Sequence, residues 1–208
     1  MQVHVGINAK DRKGFLKQLD SADKFLPPKT WLHVDISDSS FSSFKSYVNI
    51  GDLKKHAPRF NFEAHLMIPE KKIYSCIKSP FKKIWVHASV IKNWERLIKA
   101  SGKNKISFGA VIGLNDRDVI PNIPHSVGSL MVLAVPPGPS GQKFNKKALK
   151  LIYFLRKKLP RATIIVDGGV NGKVARDVKR AGATGVLSTS YIWNSNNPLI
   201  TYKELKSI

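Results

Sequence analysis

Residues 31–38 read WLHVDISD, and the reading of this stretch decides the fold. Trp31, Leu32, Val34 and Ile36 form an apolar, partly β-branched run with the character of a buried strand. His33 and Asp35 interrupt the run two residues apart, so in a strand both project to one face. Charged groups are costly to bury unless they are paired or hold a metal. A buried strand with two such groups on one face therefore points to a built site. Asp38 lies beyond the run and reads as a loop or cap residue.

Seven more runs of the same kind flank this one: 3–7, 62–68, 83–89, 106–112, 129–135, 163–167 and 184–189. Longer amphipathic stretches lie between them. GFLKQLDSADKFL (14–26) sets Phe15, Leu19, Ala22 and Leu26 on one helical face. FNKKALKLIYFLRKKL (144–159) does the same with Ala148, Ile152, Leu155 and Leu159, and predicts a helix opening near Phe144. NGKVARDVKRAGA offers Asn171 as an N-cap and Gly182 as a stop. The segment 115–126, with two prolines, is the weakest helix. Eight strands alternating with helices imply an α/β fold with a parallel sheet, and closure into a (β/α)8 TIM barrel with short helices fits best. An open doubly wound sheet is the alternative, although no Gly-x-Gly-x-x-Gly follows the first strand. The length of 208 residues is at the lower end for a barrel and predicts one domain over 1–208.

Composition narrows the function classes. Hydrophobic residues make up 42% and charged residues 24%, a globular balance that excludes a disordered chain. Cys76 is the only cysteine, so no intramolecular disulfide forms, which favours a reducing cytoplasm. Its setting in KKIYSCIK reads as helix packing rather than a nucleophile. MQVHVGINAK has no signal-peptide pattern, and no apolar run is long enough to span a membrane. The net charge of +21 is spread as lysine pairs along the whole chain, without a block, a zinc-finger spacing or a stacking motif. It predicts a solvated basic surface with non-specific polyanion binding at low salt, and no specific nucleic-acid partner. Positive charge focused at a barrel mouth would also attract an anionic substrate.

Active sites of such barrels sit at the C-terminal ends of the strands. His33 and Asp35 on the second strand, His65 on the third and Asp167 at the end of the seventh fall at corresponding heights, with His87 late on the fourth. Two histidines and two aspartates converging on one mouth suit a divalent metal such as Zn²⁺, Fe²⁺, Mn²⁺ or Co²⁺. PPGPSGQKF (136–144) follows the sixth strand with Gly138 and Gly141, Gly168 and Gly169 follow Asp167, and STS (188–190) ends the eighth strand. Such loops place backbone N–H groups where a phosphate can bind.

The ordered set HVDISD, EAHLMI, VPPGPSGQKF, VDGGVN and AGATGVLSTSYIW resembles the ribulose-phosphate 3-epimerase family over about residues 30–193. The resemblance implies a ribulose-phosphate-binding barrel with one divalent metal, acting on a small phosphorylated ketose and working as a homo-oligomer. It implies His33, Asp35, His65 and Asp167 as metal ligands, with Asp35 and Asp167 also the catalytic acid/base pair. D-Ribulose 5-phosphate and D-xylulose 5-phosphate would interconvert by proton transfer at C3 through a metal-stabilised enediolate. Asn8, Met67, Gly138, Ser140, Gly141, Gly168, Gly169, Thr189 and Ser190 are then the substrate- and phosphate-binding candidates. The chain departs from the family at Ser37, where a methionine is usual, and in the DSSFSSF loop (38–44), which lacks Pro-Asn. It departs again at Pro136-Pro137-Gly138, Ser140-Gly141 and Thr189-Ser190, and within VGIN of the first strand, where Asn8 is a polar stand-in. The proton-transfer set is intact and the substrate-gripping set is altered. A related ketohexose 6-phosphate as substrate, and a weak or inactive barrel that binds phosphate or polyanions, are the alternatives.

Overall fold

The computed structural model describes residues 1–41 and 44–208, and Ser42 and Ser43 of the divergent loop lie outside the described residues. Eight parallel strands close into a barrel in sequence order: β1 (Gln2–Ile7), β2 (Trp31–Ser37), β3 (Asn61–Met67), β4 (Phe81–His87), β5 (Ser107–Gly113), β6 (Ser129–Leu133), β7 (Thr163–Asp167) and β8 (Gly185–Ser188). β1 closes the ring by pairing with β8, from Gln2 opposite Gly185 to Val5 opposite Ser188. All eight predicted strands are present. The open sheet is excluded, because closure removes both sheet edges.

The connections are α1 (Arg12–Phe25), α2 (Ile50–His56), α3 (Glu70–Cys76), α4 (Trp94–Asn104), α5 (Lys147–Lys158) and α6 (Gly172–Arg180). After β8 come α7 (Ser190–Trp193) and α8 (Pro198–Ser207). The predicted face of the first helix is the buried one: Phe15, Leu19, Ala22 and Leu26 pack on the outer surface of the barrel. Each such large side chain removed from water stabilises the fold by about 1.5–3 kcal/mol. Asn171 caps α6 by accepting from the Val174 N–H, and Gly182 follows the helix at φ +109°, as expected of its stop. α5 starts at Lys147 instead of Phe144. Asn145 explains the delay: its N–H goes to the Ala134 carbonyl and its side chain accepts from the Lys147 N–H. The segment 115–126 yields only a 3-10 turn, Arg117–Asn122, with Pro121 inside it.

The interior of the barrel is divided. On the side of β5–β8 it is filled by Val111, Met131, Leu133, Ile165 and Leu187, together with Trp85 of β4. On the side of β1–β4 the buried residues include His4, His33, Asp35, Glu63, His65 and His87. Even-spaced positions along each strand share a face, so the sequence period places these polar groups inside and the β-branched residues outside against the helices.

Candidate active site

At the C-terminal ends of the strands a cleft of about 530 Å³, counting space open to solvent, is lined by residues from β1, β2, β3, β6, β7 and β8 and the loops that follow them. Asn8, Asp35, His65, Met67, Gly138, Ser140, Gly141, Asp167, Gly168, Gly169, Thr189 and Ser190 all line it. His33 lies fully buried beneath, behind Asp35. The cleft thus brings together all the predicted site residues except His33, and His87, also noted on the fourth strand, does not line it. Among the described residues, no lysine or arginine lines this cleft.

His33, Asp35 and His65 offer ligand atoms within 4.8 Å of one another. Their register explains this: His33 pairs with Glu63 and Asp35 with His65 across β2 and β3. His33 Nδ1 lies 2.6 Å from Glu63 Oε1, while its Nε2 is buried with no hydrogen-bond partner among the described residues, 3.6 Å from Asp35 Oδ1. An imidazole nitrogen left bare inside a protein is costly. A cation at that position would resolve it, and two imidazoles with a carboxylate suit a borderline divalent metal. The residues present therefore fit a metal. Asp167 lies outside this close set and faces the same cleft from β7, with β1 and β8 between it and β2.

The electrostatics separate the two aspartates. Burial pushes Asp35 up, but the hydrogen bond and charge of His65, the charge of His33 and the Asn8 amide outweigh it and hold its pKa below the usual carboxylate value. Asn8 Nδ2 donates to Asp35 Oδ2 at 2.5 Å. Asp167 moves the other way, to about 6, through burial first and the charge of Asp35 second. Burial also acts to lower His33, yet Glu63, Asp35 and Asp167 together raise it.

Sequence reasoning missed Glu63 beneath the site, and it noted His87 on the fourth strand without assigning it a partner. Glu63 is fully buried, and its Oε1 accepts from His4 Nδ1 at 2.7 Å as well as from His33. Burial pushes its carboxyl up, but the charge of His4 and the hydrogen bonds from both imidazoles hold it far below the usual range. His87 Nε2 lies 2.9 Å from His65 Nε2, and burial followed by the charge of His65 lowers its pKa to about 3. The available signal was phase: Glu63, His65 and Met67 alternate in FEAHLMI and so share a face.

The departures have local causes. Ser37 does not line the cleft: its Oγ donates to the Phe44 carbonyl at 2.8 Å and its N–H to Ser46 Oγ at 2.9 Å, which ties the following loop to β2. Asp38 is in that loop, paired with Lys72. The Thr189 side chain fills the space above Gly6, where an added Cβ would sit 1.8 Å from Thr189 Oγ1. Trp193 Nε1 donates to the Gly6 carbonyl at 2.7 Å and fixes the β8 end against β1. Gly169, at φ +66°, lets the loops after β6 and β7 meet, since a Cβ there would lie 2.2 Å from the Phe144 nitrogen.

Comparison with known proteins agrees with this geometry. The ribulose-phosphate 3-epimerase of Helicobacter pylori strain 26695 is 25% identical, with the match spanning 100% of this chain and 98% of the relative. The enzyme of the same name from Methanocaldococcus jannaschii is 29% identical over 85% of this chain and 78% of the relative. Among solved structures, 3-hexulose-6-phosphate synthase from Salmonella typhimurium superposes with a TM-score of 0.75 at 12% identity, over 100% of this chain and 97% of that one. That likeness bears on the fold alone. No helix among the described residues is long and apolar enough to cross a membrane. The sequence model of the ribulose-phosphate 3-epimerase family matches residues 3–193, and the chain belongs to that family of isomerases.

Proposed function

We propose that this protein is a metal-dependent sugar-phosphate 3-epimerase that interconverts D-ribulose 5-phosphate and D-xylulose 5-phosphate. The observation that carries the reading is the placement of two carboxylates on one cleft, Asp35 from β2 and Asp167 from β7, with β1 and β8 between them. Inversion at a carbon next to a ketone needs a base on one face and an acid on the other. Asp35, ionised and steadied by Asn8 and His65, removes the C3 proton. Asp167, which faces the same cleft from β7, delivers one to the opposite face. The roles exchange in the reverse direction.

His33, Asp35, His65 and Asp167 would hold the divalent cation, which supplies positive charge for the oxygens of the enediolate formed when C3 loses its proton. Met67 walls the cleft beside His65. The phosphate falls to the loops of Gly138, Ser140, Gly141, Gly168 and Gly169 and to the hydroxyls of Thr189 and Ser190, because no basic side chain lines the cleft. Family membership supports one barrel domain, a homo-oligomer and a cytoplasmic setting.

The test is conversion of D-ribulose 5-phosphate by purified protein, with metal content measured alongside. Turnover with about one divalent ion per chain supports the reading. A second reading, a barrel that keeps the metal site without turnover, is favoured by the lack of cationic side chains in the cleft. Metal-replete protein that converts neither pentulose 5-phosphates nor hexulose 6-phosphates would establish it instead.

A further inference from the structure

We infer that Glu63 and His87 are positioning residues that dictate which ring nitrogen His33 and His65 each turn toward the metal. The inference rests on the metal site proposed above and concerns residues outside its ligand set. A histidine can ligate only through a nitrogen that carries no proton, so the proton must be held on the other one. Glu63 does this for His33. An ionised carboxylate only accepts, so the 2.6 Å contact requires a proton on His33 Nδ1 and makes Nε2 the nitrogen that can be freed for a cation. Nε2 is also the buried nitrogen without a hydrogen-bond partner among the described residues, and it faces Asp35.

His87 does the same for His65 with the opposite nitrogen. His65 Nδ1 is the one facing Asp35, at 3.2 Å, while Nε2 meets His87 Nε2 at 2.9 Å. Once a cation takes the place of the hydrogen bond between Nδ1 and Asp35, the remaining His65 proton must sit on Nε2, where His87 would be the acceptor. The ring of His87 is held in turn between His65, stacked at 5.0 Å between centroids, and Phe41 at 4.8 Å.

A second observation separates this from ordinary packing. The interior of the barrel on the β5–β8 side is filled with Val111, Met131, Ile165 and Leu187. Apolar side chains therefore suffice to fill this space. Glu63 instead buries a carboxylate completely, with Oε2 lacking a hydrogen-bond partner among the described residues. Such burial is costly without a task. His4 completes the arrangement by donating Nδ1 to the same oxygen that holds His33.

The experiment uses full-length protein stripped by chelator and loaded with Co²⁺. It reads the dissociation constant by competition and the visible absorption bands of the bound ion. Glu63→Ala and His87→Ala are expected to weaken Co²⁺ binding roughly 10- to 100-fold and to shift the bands. Glu63→Gln and His87→Gln keep an acceptor oxygen and are expected to recover part of both. Circular dichroism melting checks each fold, and should Glu63→Ala not fold, the His87 pair carries the test. Unchanged affinity and spectrum in folded alanine variants would overturn the inference, as would equal losses in His87→Ala and His87→Gln. Wild-type protein that takes up no Co²⁺ would instead contradict the underlying metal site, an outcome separate from these.

Discussion

Asp35 and Asp167 face one cleft from β2 and β7, and the charge of Asp35 is one reason Asp167 holds its proton to about pH 6. A divalent ion held by His33, Asp35, His65 and Asp167 would displace that proton, and a second from His33, whose pKa is also raised. Metal binding then releases protons, and affinity falls as pH falls through about 6. Competition titrations at pH 5 and pH 8 are expected to give clearly tighter binding at pH 8. Equal affinity at both would mean that the site binds without displacing protons.

The same carboxyl makes the metal-free fold sensitive to pH. Asp167 has a folded pKa of about 6 against 3.8 for the free side chain, so the folded state binds the extra proton between those values. Stability of the stripped protein therefore declines as pH rises across that window, and the cost is fully present above it. Asp167→Asn removes the charge and is expected to stabilise metal-free protein at pH 7.5 by about 1–2 kcal/mol, allowing for partial exposure to the cleft. Urea unfolding at pH 4 and pH 7.5 checks the sign: the gain should be small at the lower pH and larger at the higher one.

Gly6 and Thr189 form a matched pair across the β1–β8 closure. A methyl at Gly6 would collide with Thr189 Oγ1 at 1.8 Å, so Gly6→Ala is expected to destabilise by about 1–3 kcal/mol. Thr189→Gly opens the space, and the double variant should recover most of that loss. Chemical denaturation of both single variants and the double reads the coupling directly. Additive losses would show that the two side-chain positions do not share one space.

The net charge of +21 finds its clearest local expression on α5. No aspartate or glutamate occurs from residue 119 to 166. Lys147, Lys150, Lys157 and Lys158 are exposed on that helix beside Tyr153, which is 58% exposed. Heparin binding by the protein is expected at low salt and to weaken steeply as salt rises. Lys150→Glu with Lys157→Glu should reduce retention more than a paired reversal of Lys99 and Lys103 on α4. Equal effects from the two pairs would mean that the charge acts as a uniform coat.

Much of this was legible in the sequence because the barrel imposes simple periods. Each strand is a short apolar run, and its charged members fall in phase with the interior, which is how His33, Asp35, His65 and Asp167 were found. Three things were hidden for physical reasons. Strand register, which sets Glu63 beside His33, depends on the partner strand and not on either run alone. The contact of His87 with His65 joins side chains 22 residues apart, and spacing does not reveal such a pair. The VGIN and Thr189-Ser190 departures stand apart in the sequence, and the relation of Gly6 to Thr189 exists only once β1 meets β8. Ser37 stood out as a change near the site, but it ties down a loop.

The central claim is that Asp35 and Asp167 move a proton at C3 on opposite faces. Its most direct test follows D-ribulose 5-phosphate in D2O by NMR with metal-replete protein. The account predicts deuterium at C3 in both pentulose phosphates for the wild type. Asp35→Asn and Asp167→Asn are each expected to slow this by at least about 100-fold. Metal-replete wild-type protein with no C3 exchange, or either variant exchanging at the wild-type rate, would contradict it.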